Sequence, residues 1–291
     1  MANLYQSDVG PIKSLVLKHP KDAFVTDETI DRQWQGLNYL ERPDLARAMD
    51  EYDHFVTLLK RFDIDLYFLP SDERVGLDSI YTRDASIVCN KGIILCNMGK
   101  DERNDEPASQ EAAFRDRGIP IHGAITGNGR VEGGDVAWID EHTLAIAHGY
   151  RTNNEGIRQV RELMGDCINE LIIVPLPHWR GPNDVFHLMS ILSPIDQDLV
   201  LVYSPLMPVF FRETLLSRGI VLVEVPGSEF ETMGCNVLAV APRKCIMLSG
   251  NPHTRIRLER AGVEVHEFEG QEICIKGGGG PTCLTRPIVR R

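Results

Sequence analysis

Cys283 is the residue of this 291-residue chain with the clearest chemical potential. Four consecutive glycines at residues 277–280 precede it, followed by a proline and a threonine. Glycines contribute little to a packed core, but they let the backbone approach a ligand closely. We therefore predict that Cys283 is a nucleophile at the rim of a cavity. Taken alone, the segment also fits a flexible C-terminal tail, so the prediction needs partners elsewhere in the chain.

Among the nine histidines, His187 is the best candidate for an acid or base partner of this thiol. It follows a Pro-Asn-Asp turn at residues 182–184 and opens a run of residues with strand character. Histidine titrates near neutral pH, so it can release and take up a proton within one reaction. The simpler interpretation, a strand histidine paired with a neighbour, is the more common one for a lone histidine.

Two further segments supply carboxylates. Glu132 and Asp135 flank two glycines, which would give a substrate close access to both acidic side chains, although a β-turn with acidic ends has the same pattern. Asp78 and Asp84 lie an even number of residues apart, and on an extended strand this spacing points both side chains to one face. Carboxylates around a thiol would repel a developing oxyanion, but they would hold a guanidinium well.

The composition limits the classes of partner. The chain has 31 basic and 42 acidic residues, a net charge of −11, which disfavours nucleic acid and suits a cationic substrate. No apolar run approaches the roughly 20 residues of a membrane-spanning helix, and the N-terminus lacks the basic and hydrophobic parts of a signal sequence. We expect a cytoplasmic protein with a small-molecule partner and no membrane partner. The oligomeric state stays open, and a homodimer is compatible with the sequence.

The seven cysteines do not have the CxxC spacing of a structural zinc site. Cys89, Cys96 and Cys245 lie in or beside apolar runs, which predicts that they are small buried hydrophobes. We therefore expect neither a metal nor another cofactor.

The elements that must position these residues form a repeat. Four helical stretches end near an arginine, namely Arg61, Arg117, Arg218 and Arg260, and each is followed by a short turn and a β-branched strand. In three of them a glycine provides the left-handed cap. A fifth copy at residues 156–175 fits less neatly. The copies recur about every 45 to 55 residues, a period typical of a propeller or solenoid.

This repeat predicts one domain over residues 1–291, with helices outside and a central cavity lined by strand ends and loops. The predicted helices cover residues 106–115, 156–164, 207–216 and 252–260. The polar residues 99–106 are interpreted as a surface loop and residues 126–130 as a turn. Residues 22–38 are either a lid over the cavity or an ordinary surface helix and turn.

Together these segments resemble the guanidino-group-modifying superfamily, the pentein fold of arginine deiminases, amidinotransferases and dimethylarginine dimethylaminohydrolases. The resemblance covers almost the whole chain, and the matching segments follow the superfamily's order: residues 78–84, 132–135, 149–156, 187–188, 234–238 and 277–283. It implies an α/β fold, a five-bladed propeller of ββαβ units with pseudo-fivefold symmetry, in agreement with the repeat.

The resemblance also implies roles for individual residues. It makes Cys283 the nucleophile and His187 the general acid and base, and it assigns Glu132 and Asp84 to the guanidinium. It further suggests that Arg151 pairs with a substrate α-carboxylate and that Asp78 contacts the α-amino group. From the Glu-Gly-Gly-Asp pattern itself, Asp135 is added as a substrate-binding residue.

The implied chemistry is hydrolysis through a covalent adduct. A bound cation would favour the Cys283 thiolate, which attacks the amidino carbon to give a thiouronium intermediate. His187 would protonate the departing amine and then activate water. The expected products are a ureido compound, such as citrulline, and ammonia or an alkylamine.

The subfamily stays open. Arginine deiminases and amidinotransferases usually have an aspartate two residues after the histidine, where this chain has Met189, and a methionine tolerates substrate methyl groups. Asp78 resembles the corresponding residue of dimethylarginine dimethylaminohydrolases, and so does the segment from His187 to Ser190. We therefore prefer this subfamily. The segment around Asp84 and the C-terminal residues 284–287 resemble arginine deiminases. An amidinotransferase and a non-catalytic protein related to initiation factor six are further alternatives. The presence of Cys283, His187 and Glu132 together argues against the latter.

Overall fold

The computed structural model describes residues 6–291, which form five three-stranded sheets. In chain order the strands are β1 (Ile12–Leu17), β2 (Asp65–Phe68), β3 (Ser86–Cys89), β4 (Gly92–Leu95), β5 (Ile121–Ala124), β6 (Val136–Asp140), β7 (Thr143–His148), β8 (Glu170–Pro175), β9 (Leu192–Asp196), β10 (Leu199–Val202), β11 (Val221–Glu224), β12 (Leu238–Ala241), β13 (Lys244–Leu248), β14 (Glu264–Phe268) and β15 (Arg286–Arg290).

The helices are α1 (Pro20–Ala23), α2 (Asp27–Gln33), α3 (Leu45–Lys60), α4 (Glu106–Asp116), α5 (Asn154–Met164), α6 (Val209–Ser217) and α7 (Pro252–Arg260). Residues Gln271–Ile275 form one turn of π-helix just before the glycine-rich segment. No helix within residues 6–291 combines the length and the apolar character needed to cross a lipid bilayer.

All five sheets have the same topology. Each central strand pairs antiparallel with the strand before it, and parallel with a third strand that follows one of the helices α3 to α7. The first sheet joins the two ends of the chain, because β15 supplies its antiparallel strand and β1 its central strand. The sheets therefore repeat the predicted ββαβ unit five times.

The turns that end the repeated helices explain why the pattern was visible in the sequence. Gly118, Gly219 and Gly262 adopt φ angles of 67°, 75° and 83°, and Asp63 takes the same left-handed conformation in the first unit. This backbone region is accessible to glycine at little cost. The predicted helices and the strands that follow them are confirmed, with shifts of one or two residues at some ends.

Each repeated helix packs into its own apolar cluster against a sheet. Phe55 of α3, Phe114 of α4, Val160 of α5, Phe211 of α6 and Leu258 of α7 are all buried. Complete burial of one such side chain contributes roughly 1.5–3 kcal/mol to the free energy of unfolding. Because the cores lie between helices and sheets, the loops at the strand ends remain available for a site.

Candidate active site

Cys283, His187 and Asp84 line one cavity of about 160 Å³. The same cavity is bordered by Asp78 and Arg151, so the structure brings together five of the seven predicted site residues. Its walls come from segments between the sheets rather than from the strands themselves. The expected lining by loops is confirmed, whereas the expected lining by strand ends is not observed, because no lining residue belongs to a strand.

Cys283 lies in a tight turn that follows the four glycines. The Asn236 side chain donates to the Cys283 Sγ atom at 3.4 Å and accepts from the Thr282 N–H and hydroxyl groups at 3.1 and 2.8 Å. Gly280 allows Asn236 to approach closely, since an added Cβ atom at Gly280 would lie 2.5 Å from the Asn236 amide. Burial, and then the negative charge of Asp84, raises the pKa of the Cys283 thiol. The resting thiol is therefore protonated unless a cation enters the cavity.

His187 lies immediately before a short 3-10 helix, Leu188–Ser190, rather than at the start of a strand. Its ring Nε2 atom is 2.8 Å from a Glu132 oxygen, and Nδ1 is 3.9 Å from Asp84 Oδ1. Burial alone would lower the pKa of His187, but Asp135, Asp84 and Glu132 outweigh it and raise the pKa above its ordinary value. The imidazole is thus favoured in its protonated form, which suits a general acid.

Glu132 is fully buried behind His187 and does not line the cavity. Its oxygens accept from His187, from Arg151 Nη1 at 3.0 and 3.2 Å, and from the N–H groups of Gly99 and Lys100 at 3.0 Å each. Burial would raise the pKa of Glu132, but Arg151 and His187 hold it well below its usual range. The geometry places Glu132 where it orients His187, and the direct guanidinium contact expected from the sequence stays a prediction.

Asp135 also lies behind the cavity wall. It accepts from the Thr152 hydroxyl at 2.6 Å and from the Leu188 N–H at 3.1 Å, so it fixes the turn that presents His187. Burial raises the pKa of Asp135 to about 6, against the attraction of His187. Both oxygens of the carboxylate accept hydrogen bonds within the protein, and the substrate contact of Asp135 stays a prediction.

Asp84 is the carboxylate with an available oxygen. Its Oδ2 atom accepts from Arg103 at 2.7 Å, whereas its buried Oδ1 atom has no hydrogen-bond partner among the described residues. Arg103 is itself buried and also pairs with Glu106. The interpretation of residues 99–106 as a surface loop was therefore wrong at its functional positions. The charged run gave no signal that Arg103 turns inward.

Asp78 lies in a 3-10 helix, Leu77–Ile80, so the strand argument for Asp78 and Asp84 was wrong even though both residues reach the cavity. Lys100 Nζ donates to Asp78 Oδ2 and to the Leu37 carbonyl oxygen, each at 2.7 Å. Asp78 is therefore already paired with a cation. Lys100, like Arg103, was missed by sequence reasoning.

The mouth of the cavity is partly aromatic. Trp179 is 40% exposed, its ring lies under the Arg180 guanidinium, and Arg180 pairs with Glu231 at 2.7 Å. Residues 22–38 lie on another side of the cavity. They comprise the end of α1, helix α2 and a turn, and Leu37 in this turn lines the cavity. Met189 is buried and lines the interior.

One group in the described part of the chain has the composition of a cation site. Ligand atoms of Asp84, Glu132 and His187 lie within 4.8 Å of one another. However, His187 and Glu132 are hydrogen-bonded to each other, while Arg103 and Arg151 already neutralise the two carboxylates. The arrangement is suited to hold a protonated imidazole beside one free carboxylate oxygen.

Comparison with known proteins places this geometry in context. The model of a family described as N,N dimethylarginine dimethylhydrolase, eukaryotic, matches residues 21–290. The chain is 27% identical over 288 residues to the uncharacterized protein YkgA of Bacillus subtilis, with 98% of this chain and 94% of that protein covered. It is 27% identical over 248 residues to N(G),N(G)-dimethylarginine dimethylaminohydrolase of Pseudomonas aeruginosa, with coverages of 85% and 91%. An arginine deiminase of Mycobacterium marinum is 26% identical, with 88% and 69% covered.

Two solved structures confirm the predicted fold. A mutant of dimethylarginine dimethylaminohydrolase from Pseudomonas aeruginosa, complexed with citrulline, superposes with a TM-score of 0.77 at 23% identity and covers 97% of this chain and 100% of its own. The N-terminal domain of ArgZ, a cyanobacterial arginine dihydrolase bound to product, has a TM-score of 0.80 at 18% identity, with coverages of 96% and 98%. Both likenesses support the five-unit pentein architecture.

Proposed function

Because the chain belongs to the N,N-dimethylarginine dimethylhydrolase family, we propose that it hydrolyses a carbon–nitrogen bond of a small guanidino compound, with methylated arginines as the first candidates. The reaction yields a ureido product such as citrulline and an amine. The enzyme class is that of cysteine-dependent amidine hydrolases.

One observation carries the proposal: a buried thiol, an imidazole hydrogen-bonded to a buried carboxylate and an unpaired carboxylate oxygen lie at one cavity. Asp84 Oδ1 has no partner among the described residues, and Asp84 also raises the pKa of Cys283. A guanidinium bound to that oxygen would satisfy the acceptor and offset the charge that keeps the thiol protonated. Substrate binding itself would thus generate the nucleophile.

In the first half-reaction the Cys283 thiolate attacks the amidino carbon and forms a carbon–sulfur bond. The resulting tetrahedral adduct expels an amine, which takes a proton from His187, and a thiouronium ester remains on the sulfur. Glu132 keeps the imidazole in place during this transfer, since their atoms are 2.8 Å apart.

In the second half-reaction neutral His187 takes a proton from water, and the hydroxide attacks the thiouronium carbon. Collapse of this adduct expels the Cys283 thiolate and releases the ureido product. The hydroxyl proton leaves for solvent as the ureido carbonyl forms, and His187 is protonated again. The Cys283 thiolate then takes up from solvent the proton that it lost when the cationic substrate bound.

Arg151 and Asp78 are proposed for the amino acid end of the substrate. Arg151 lines the cavity, and its recorded pairing with Glu132 involves only Nη1, so the rest of the guanidinium can bind a carboxylate. Asp78 already forms an ion pair with Lys100. Its contact with a substrate α-amino group is therefore weaker than the sequence alone suggested.

Hydrolysis of unmodified arginine is the second candidate, supported by the relatives named arginine deiminases. Met189 favours the first candidate, because its thioether lines the cavity at the position where a second carboxylate would bind an unsubstituted nitrogen. A cytoplasmic location and a homodimer stay predictions, and gel filtration with light scattering would test the latter.

Mass-spectrometric product analysis tests the proposed function. The protein and its Cys283→Ala variant are incubated separately with arginine, monomethylarginine, asymmetric dimethylarginine and shorter guanidino acids. Citrulline with dimethylamine from the wild type only is the expected result. Citrulline with ammonia from arginine would favour the second candidate, and turnover by Cys283→Ala would contradict the covalent mechanism.

A further inference from the structure

A second, much smaller cavity lies behind the catalytic one. It has a volume of about 20 Å³ and is lined by Arg83, Arg286 and Arg290 together with Asp8 and several apolar side chains. Arg83 directly precedes Asp84, and the two side chains border different cavities. The mechanism proposed above uses none of these three arginines.

The three guanidinium groups are buried with incomplete hydrogen bonding. Arg83, Arg286 and Arg290 are 2%, 6% and 2% exposed, and the Nε atom of each has no hydrogen-bond partner among residues 6–291. Their remaining contacts are mostly to backbone oxygens, for example from Arg290 Nη1 to the carbonyls of Gly10 and Ala239 at 2.7 and 2.9 Å. All three arginines thus line one small cavity, and each has an Nε–H group without an acceptor among the described residues.

Charge around this cavity is also unbalanced. Asp8 is the single carboxylate in its lining, and it pairs with Arg83 at 2.9 Å. Asp84 lies nearby but is engaged by Arg103 on the catalytic side. Three cations thus face one anion.

This imbalance has an energetic consequence. Burial, together with the positive charge of Arg83, lowers the pKa of Arg286 to about 9. Burial lowers the pKa of Arg290 to about 10, although Asp8 opposes the shift. A buried charge that lacks a counterion destabilises the folded state by several kcal/mol in typical cases.

We propose that the cavity lined by Arg83, Arg286 and Arg290 is a binding site for a monatomic anion of the halide class, with chloride as the physiological candidate. A volume of about 20 Å³ is enough for one water-sized occupant, which favours a monatomic anion over phosphate, sulfate or a carboxylate. Water could accept from the unpaired Nε–H groups, but only an anion would also offset the excess positive charge. Guanidinium groups are weakly hydrated, which favours such a buried partner.

The position of the site predicts a structural role. Arg286 Nη2 donates to the Arg83 carbonyl oxygen, so Arg286 holds the peptide bond between Arg83 and Asp84. An anion between the two arginines would reduce their repulsion and stabilise this segment. Halide binding should therefore stabilise the folded protein by mass action.

Crystallography with bromide is the direct test. Crystals soaked in sodium bromide, with data collected at the bromine absorption edge, should show an anomalous peak in the cavity within about 3.5 Å of the Arg83, Arg286 or Arg290 Nε atoms. A cavity without an anomalous peak, whether it holds water or nothing, would overturn the proposal. The experiment uses the wild-type protein and does not depend on any variant folding.

Thermal unfolding gives an independent solution test. At constant ionic strength, replacing sodium gluconate by sodium chloride or bromide should raise the Tm by roughly 3 °C once the halide reaches about ten times its Kd. Arg290→Gln should lose this dependence, whereas Arg32→Gln, which changes an exposed arginine, should retain it. A wild-type Tm that does not change with halide, or a halide-dependent Tm in Arg290→Gln, would contradict a site at these arginines.

Discussion

At the scale of single residues, the site separates carboxylates that looked equivalent in the sequence. Asp84 keeps a free oxygen towards the cavity, while Glu132 and Asp135 lie behind His187 with their oxygens occupied. Residue type and motif order were enough to find the thiol, the histidine and these acids. They could not show which of these acids keeps an unpaired oxygen, because that depends on partners such as Arg103, which no local pattern connects to Asp84.

Asp135→Asn should move the pH dependence of the reaction. Asp135 is the leading charge that holds the His187 pKa above its ordinary value, and the amide keeps an oxygen for the Leu188 N–H. A general acid must be protonated, so activity is present below its pKa and is lost as pH rises through it. We expect the basic limb of the kcat profile to move to lower pH by about one unit.

Asp140→Asn is the matched control for this experiment, because Asp140 is exposed at the end of β6. Its kcat profile should coincide with that of the wild type. If the basic limb in Asp135→Asn stays in place while only the Tm changes, Asp135 has a purely structural role.

Met189→Asp should change substrate preference. A carboxylate at this buried position can accept from an unsubstituted terminal nitrogen, but a dimethylated nitrogen has no hydrogen to donate and would leave it unpaired. The ratio of kcat/KM for arginine to that for asymmetric dimethylarginine should rise about tenfold or more. Met189→Leu keeps the apolar character and should preserve the wild-type ratio. Equal ratios in both variants would remove Met189 from the specificity determinants.

At the scale of elements, the regular parts of the repeat were predictable and the short turns were not. The sequence signals that mark the ends of helices α4 to α7 have a physical basis. Gly118 and Gly262, for example, follow their helices with a positive φ angle. The 3-10 helices Leu77–Ile80 and Leu188–Ser190 are too short to show a period, so both were interpreted as strand-like. Their conformation is set by tertiary contacts, including the Asp135 bond to Leu188.

Gly134→Ala should disable the site through one of these short elements, the 3-10 helix Gly133–Asp135. An added Cβ atom would lie 2.8 Å from Asp84 Oδ1 and still closer to His187 Nδ1. The imidazole or the carboxylate must move, and displacement of a catalytic group by about 1 Å can cost about 100-fold in rate. We expect kcat to fall by at least about that factor in steady-state assays.

Gly149→Ala separates this steric effect from a general loss of glycine. A Cβ atom there would meet only the Leu176 side chain at 3.4 Å, an ordinary contact, so kcat should change little. A similar loss of activity in both variants would indicate that Gly134 is not specifically required beside His187.

At the scale of the whole molecule, the chain closes on itself. The last strand, β15, pairs with the first, β1, so the first unit contains both ends of the chain. β15 also contributes Arg286 and Arg290 to the small cavity, and the turn before it contains Cys283. The sequence predicted five similar units, but it could not show which strand completes the first unit, because that pairing joins residues far apart in the chain.

This closure predicts that the described chain unfolds as one unit, in line with the single domain proposed over residues 1–291. Trp34, Trp138 and Trp179 lie in three different parts of the molecule, so three variants that each keep one tryptophan report on separate regions. Their fluorescence midpoints in urea should coincide with one another and with the loss of far-ultraviolet circular dichroism. Distinct midpoints would indicate separate domains.

Deletion of residues 287–291 removes most of β15 and should abolish the shared transition, whereas deletion of the exposed Arg291 alone should preserve it.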